Sequence, residues 1–248
     1  TITNIETETN YTADGDGIPA PKVKRAAIVS LQSYDLDKNN AEDLIITVSN
    51  PQGVSADTCK NLNYGYIYSG TASGGIEQKA KIPLYNEQKL LRSASSAAGD
   101  FYATGKPVLV FGGRLGDMSN PTKISNSDKI GTIAVEYDHN TKQYNAGEIQ
   151  SYGEDFNKVL LRDNGVKYNP PIAMEAFNMY GEKDPSGDSP VRLFLFDRLY
   201  KYSGGVFVAD GTTIDYLSDQ KNNADEKENK GQTWISDVVK GNFTKKDI

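Results

Sequence analysis

The segment Asp35-Leu36-Asp37-Lys38-Asn39-Asn40-Ala41-Glu42-Asp43 places side-chain oxygens at its first, third, fifth and ninth positions, and Ala41 at the seventh can offer a backbone carbonyl. A hard divalent cation such as calcium takes about six to eight oxygens at about 2.3–2.6 Å. Alternating acidic residues on a tight turn converge such oxygens at little closure cost. The expected ligands are therefore Asp35, Asp37, Asn39, Ala41 and Asp43, around a structural rather than a catalytic ion. The sixth position of such a loop needs a left-handed backbone; glycine is usual there, and Asn40 is among the next most tolerant residues. The competing reading is an acidic turn held by Asx hydrogen bonds with no metal.

Other constellations are weaker. Asp184, Ser186 and Asp188 also alternate, but Arg192 falls where the ninth ligand belongs, and a solvated turn is the better reading. Asp14-Gly15-Asp16-Gly17 is half a loop with Lys22 in the ninth place, and reads as a linker. The single histidine, His139, lies in a polar turn, and the single cysteine, Cys59, has no second cysteine and no histidine near it in the sequence. A Ser-His-Asp triad, an internal disulfide and the usual zinc ligand sets are thereby disfavoured. No catalytic residue is assigned. Catalysis by carboxylates alone, as in glycoside hydrolysis, remains open, but no spacing points to a pair.

The glycine pairs Gly74-Gly75, Gly112-Gly113 and Gly204-Gly205 lack a following Lys-Ser/Thr or helical pattern, and read as β-turns or bulges rather than phosphate cradles. The segment from Ser218 to Gln232 mixes both charge signs and reads as a solvated loop. Tyrosine is in excess, with 15 copies. Tyr64, Tyr66 and Tyr68, like Tyr200 and Tyr202, alternate and so share one face of a strand, where they serve as packing or as an aromatic platform for a sugar or a protein.

The elements that must carry these residues are strands. Apolar runs of four to seven residues, rich in Val, Ile, Tyr and Phe, are punctuated by Gly, Asn, Asp, Ser and Pro. They start at Ala26, Asp43, Tyr64, Pro107, Gly131, Val191 and Gly204. One short helix is expected around Asn86 to Ser96. A phrase recurs along the chain: an apolar strand, Asp or Asn followed by an apolar residue, a polar turn, and another strand. Its four copies are anchored at Asp35, Asp100, Asn178 and Asn242, at intervals of 65, 78 and 64 residues. An interval near 65 accommodates four short strands, so each repeat reads as a four-stranded blade. In the second repeat the strands are SASSAAGDF, PVLVFGG, GTIAVEYDH and KQYNAGEIQ, the last two joined by a tight turn at His139 to Thr141. Blades set around an axis hide most of their sheet edges.

With these residues quoted, the chain resembles the FG-GAP or VCBS family of integrin-α-like β-propeller repeats. The first copy matches the family's calcium loop, with Asn at the fifth and sixth places. The second keeps Gly99-Asp100-Phe101 but has Tyr102 and Thr104 in place of ligands, and the fourth keeps Gly241-Asn242-Phe243. The resemblance covers about Lys22 to Ile248 and implies an all-β propeller of three repeats and the start of a fourth, with residues 1–21 an extension or a closing strand. Because the fourth copy stops at Ile248, two arrangements are expected. Either the chain is a piece of a longer propeller, or the N-terminal segment completes the last blade of a smaller ring.

Net charge is -6 with no basic block, so neither nucleic acid nor an anionic membrane is an expected partner. No run approaches the roughly 18 apolar residues of a membrane helix, and the N-terminal residues have neither the basic start nor the apolar stretch of a signal peptide. By resemblance, the expected function is an extracellular, secreted or cell-surface binding or adhesion module that takes a protein or glycan ligand and carries a structural calcium. The alternatives are the structural propeller part of a larger toxin or surface assembly and, more remotely, a polysaccharide lyase or glycosidase. Two N-x-Thr sequons, at Asn10 and Asn242, matter only in a glycosylating secretory pathway.

Overall fold

The computed structural model describes residues 28–49, 60, 62–121, 129–155, 174–178, 190–195, 198–203 and 205–213. Cys59, Asp14, Asp16, Asp184, Ser186, Asp188, Asn242, both sequons, the 218–232 segment and the suggested closing strand within residues 1–21 lie outside them.

The described residues form an all-β structure of three antiparallel sheets. The first contains β1 (Ile28–Tyr34), β2 (Asp43–Val48), β3 (Tyr64–Gly70) and β4 (Ile76–Pro83) in that order. The second contains β5 (Lys89–Gly99), β6 (Val108–Asp117), β7 (Lys129–Asp138) and β8 (Gln143–Ala146), with β9 (Gln150–Asp155) also paired to β7. The third contains β10 (Met174–Asn178), β11 (Val191–Leu195), β12 (Arg198–Ser203) and β13 (Val206–Thr213). The first and third sheets are four-stranded meanders in chain order, and the second is such a meander with a fifth strand, β9, paired to β7; the described parts of all seven apolar runs read from the sequence fall on strands.

The sheets stack face to face. Leu36, Ile45, Ile67, Leu91, Leu109, Phe111 and Ile133 fill the space between the first and second. Gly65 on β3 permits this close approach, since a Cβ there would sit 2.2 Å from the Phe111 ring. Phe101, Val110, Met174, Leu193, Leu195 and Phe207 fill the space between the second and third sheets. Strand β5 lies against both β1 and β10, so the first strands of the three sheets are neighbours. Ser30 on β1 and Ser96 on β5 are 3.2 Å apart, oxygen to oxygen.

The expected helix over Asn86 to Ser96 is not formed. Asn86 does accept hydrogen bonds from the Gln88 and Lys89 N–H groups, as a helix cap would, but the chain then enters β5. That strand is buried on both faces from Leu90 to Gly99, so its Leu and Ala content reflects packing between two sheets. Gly112 and Gly113 lie inside β6 rather than in a turn. Gly112 gives room to Leu195 and Met174 of the third sheet, and Gly113 faces the irregularity between Arg92 and Ser95 in β5, where Ser93 has a left-handed φ of 49°. Gly74 and Gly205 do sit in turns, with φ of 80° and 90°.

Candidate functional site

The turn from Asp35 to Asp43 joins β1 to β2, and its shape is set by its first residue. Asp35 Oδ1 accepts from the Asn39 N–H at 3.0 Å and Oδ2 from the Asn40 N–H at 2.9 Å. Two residues turn left-handed to allow this, Lys38 at φ 57° and Asn40 at φ 66°. The sixth position thus has the backbone conformation its residue type suggested. Leu36 plugs the turn into the core at 2% exposure.

Within this frame the carboxylates of Asp35, Asp37 and Asp43 converge, each offering an oxygen within 4.8 Å of the others. Asp37 Oδ1 accepts from the Asn39 N–H at 3.2 Å, and its Oδ2 from Asn39 Nδ2 at 3.1 Å and Ser69 Oγ at 3.2 Å. Asp43 is fully buried at the start of β2. Its Oδ2 accepts from the Leu36 N–H at 2.9 Å and its Oδ1 from the Gly70 N–H at 3.0 Å. Gly70 comes this close because it lacks a side chain, since a Cβ would sit 2.3 Å from the Glu42 carbonyl oxygen. Asn39 and Ala41 stand differently from the three acids. Asn39 hydrogen-bonds to Asp37 and to the Gly70 carbonyl, and its Oδ1 accepts the Ala41 N–H at 2.8 Å.

The electrostatics suit a cation. Burial raises the Asp43 carboxyl above the usual carboxylate range; the Leu36 and Gly70 N–H groups oppose this, and the neighbouring Asp37 charge adds to it. Among the described residues no Lys or Arg forms an ion pair with the three acids. Both Asp35 oxygens, Asp37 Oδ1 and Asp43 Oδ1 accept one hydrogen bond each and so keep a lone pair, which gives every one of the three acids an oxygen that fits a hard divalent ion. Sequence reasoning missed Ser69, Gly70 and Tyr144, which come from β3 and β8. Tyr144 donates a long 3.4 Å hydrogen bond to Asp43 Oδ2 across the boundary between sheets. Burial, then the charges of Asp43 and Asp37, push its phenol well above the usual range, so it remains a donor. No local motif announces a contact 101 residues away.

The second turn, between β5 and β6, is a copy of the first displaced by 65 residues. Asp100 Oδ1 accepts from the Thr104 N–H at 3.0 Å and Oδ2 from the Gly105 N–H at 2.7 Å. Ala103 and Gly105 turn left-handed at 54° and 75°, and Phe101 plugs the core at 1% exposure. Thr104 Oγ1 accepts the Lys106 N–H, as Asn39 Oδ1 accepts that of Ala41. The ligand positions differ, with Tyr102 in place of Asp37 and Val108 in place of Asp43. The two turns touch through Lys38 Nζ, which donates to the Gly105 carbonyl.

The remaining expected residues fall elsewhere. Arg192 is buried on β11 and pairs with Asp210, Nε to Oδ2 at 2.6 Å. His139 is exposed in the β7–β8 turn, 5.0 Å from the Tyr137 ring. Tyr64 and Tyr66 lie on one face of β3 with Lys81 over the Tyr64 ring at 3.9 Å, whereas Tyr200 is buried and Tyr202 half-buried. Comparison with protein-family models, with curated proteins and with solved structures finds no match to this chain.

Proposed function

We propose that the chain is an extracellular or cell-surface binding module built of propeller blades of the FG-GAP or VCBS type, with one structural calcium ion in its first turn. The observation that carries this reading is the convergence of Asp35, Asp37 and Asp43 on a turn whose twin keeps the same backbone with only the first of those acids, Asp100. The extra carboxylates are therefore not needed to shape the turn. Three buried or half-buried acids drawn together, with no ion pair to a Lys or Arg among the described residues, cost free energy that a divalent ion would offset. The propeller reading is supported by three successive antiparallel meanders of four strands, the second with β9 added to it, whose first strands adjoin.

Calcium would be held by the three carboxylates, with Asn39 Oδ1 and the Ala41 carbonyl as the remaining protein oxygens, and would fix the β1–β2 turn against β3 and β8. Titration calorimetry of the chain with calcium is expected to show one saturable site, and a chelator is expected to lower the melting temperature. Heat flow indistinguishable from dilution, together with an unchanged melt, would remove the calcium. A second reading, a structural segment of a larger surface assembly, draws on the exposed Leu31 and Ile76 on the two edge strands of the first sheet, at 61% and 54% exposure. Concentration-dependent self-association in sedimentation velocity would favour it.

A further inference from the structure

We propose that the cleft between the second and third sheets is a saccharide site for a neutral or amino-bearing sugar. Its volume, about 640 Å³, lies in the range of small-molecule sites, about 300–1,000 Å³. One wall is aromatic: Tyr102 comes from the second turn, and Tyr202 and Phe207 from the β12–β13 hairpin. The rest of the lining is polar, with Glu136 on β7, Asn145 on β8 and Glu148 just beyond it.

This division of surfaces is what a pyranose ring requires. Such a ring has a C–H face that packs on an aromatic ring and a circumference of hydroxyls, each a donor and an acceptor, that planar amides and carboxylates can engage. A lipid or other apolar ligand would want apolar walls on all sides. An acidic ligand is disfavoured because Glu136, Asp138 and Glu148 line the cleft against the single ammonium of Lys106.

The aromatic wall is already in place. Tyr102 and Tyr202 lie 4.2 Å apart, centroid to centroid, and burial, then the neighbouring Tyr202 and Glu136, push the Tyr102 phenol well above its usual range. Phe207 braces Tyr202 at 5.3 Å and is itself fixed edge-on against Phe101 at 5.2 Å. Rings held in this way have little rotamer freedom left to lose on binding. At the equivalent position between the first and second sheets Asp37 replaces Tyr102, so a ring pair between the turn and the next sheet is found at the later junction.

The proposal rests on reading the chain as a binding module but not on its calcium. Its test is titration calorimetry of the full chain with chitotetraose, cellotetraose, the glucosamine tetramer and, as the acidic control, tetragalacturonate. At least one of the first three is expected to bind saturably with a Kd of about 0.1–1 mM, and tetragalacturonate is expected not to bind. Glu136→Gln and, separately, Asn145→Ala at the rim are expected to weaken that binding by about tenfold or more while the melting temperature holds. No binding by the first three probes at about 10 mM, or binding that both variants leave intact, overturns the site. Calcium uptake measured on the same sample separates the outcomes. Uptake without sugar binding removes the cleft alone, and sugar binding without uptake removes the ion alone.

Discussion

Asp35 and Asp100 impose the same conformation on the residues that follow them, yet the two turns close against the next sheet by different means. In the first, Asp37 and Asp43 face Tyr137 and Tyr144, and a phenol donates to a buried carboxylate. In the second, Tyr102 stacks on Tyr202, and Val108 stands where the buried acid would be. The pair teaches that turn shape and turn content are separate properties. One carboxylate accepting two N–H groups, with two left-handed residues, is enough for the shape. The other positions are then free to gather acids for a cation or rings for a stack.

The largest effects should come from the shared core plugs. Phe101→Ala is expected to cost about 4 kcal/mol and Leu36→Ala about 3 kcal/mol in denaturant unfolding. A cost below about 1 kcal/mol for either would break the equivalence of the turns. Next in size is the metal response. With calcium at about 100 times its Kd, the wild-type chain should gain about 2.7 kcal/mol over the chelated form. Asp37→Ala should abolish that gain while Tyr102→Ala preserves it, and a gain that survives Asp37→Ala would show that the ion sits elsewhere. Asp100→Ala should cost about 1–2 kcal/mol regardless of calcium, since it removes the acceptors of the Thr104 and Gly105 N–H groups and no ligand of the ion.

Smaller still is the backbone term. Gly105→Ala should cost about 1 kcal/mol from its left-handed φ alone, because a Cβ there has no atom within 4 Å, and Asn40→Gly should be neutral or stabilising. The smallest effect is the pH dependence of the β7–β8 turn. Asp138 is held below the usual carboxylate range by the Asn140 N–H first and the Thr141 hydroxyl second. Its contribution is therefore present above the ordinary Asp pKa and lost as pH falls through the lowered value. Asp138→Ala should flatten that part of the acid unfolding curve, and an unchanged curve would remove Asp138 from the account.

Much of this was legible in the sequence, because strands and turns announce themselves locally. The runs at Asp43, Tyr64, Gly131 and Val191 carry β-branched and aromatic residues between turn formers, and all became strands. Asn40 was readable as left-handed because few residues tolerate that conformation. Strand β5 misled in part because burial on both faces erases the period-two alternation, leaving an Ala- and Leu-rich run behind a cap-like Asn86. Strand β4, whose first residues are exposed on the edge of a sheet, offered no apolar run to find. In the site, the Asp ladder lay within nine residues and could be read. Tyr144, Ser69, Gly70 and the Tyr102–Tyr202 stack depend on which sheets meet, and local spacing does not encode that.

The clamp made by Asp35 and Asp100 also bears on the order in which this chain can fold. Each clamp spans only four or five residues, so its loop closure is among the fastest events open to the polypeptide, well under a microsecond. The Tyr144–Asp43 bond and the Tyr102–Tyr202 stack each bridge about a hundred residues and must wait for whole sheets to form. Substitutions at Asp35 and Asp100 should then slow folding, and those at Tyr144 and Tyr202 should mainly speed unfolding. A chevron measured on the four variants would read this as high φ-values for the acids and low ones for the tyrosines.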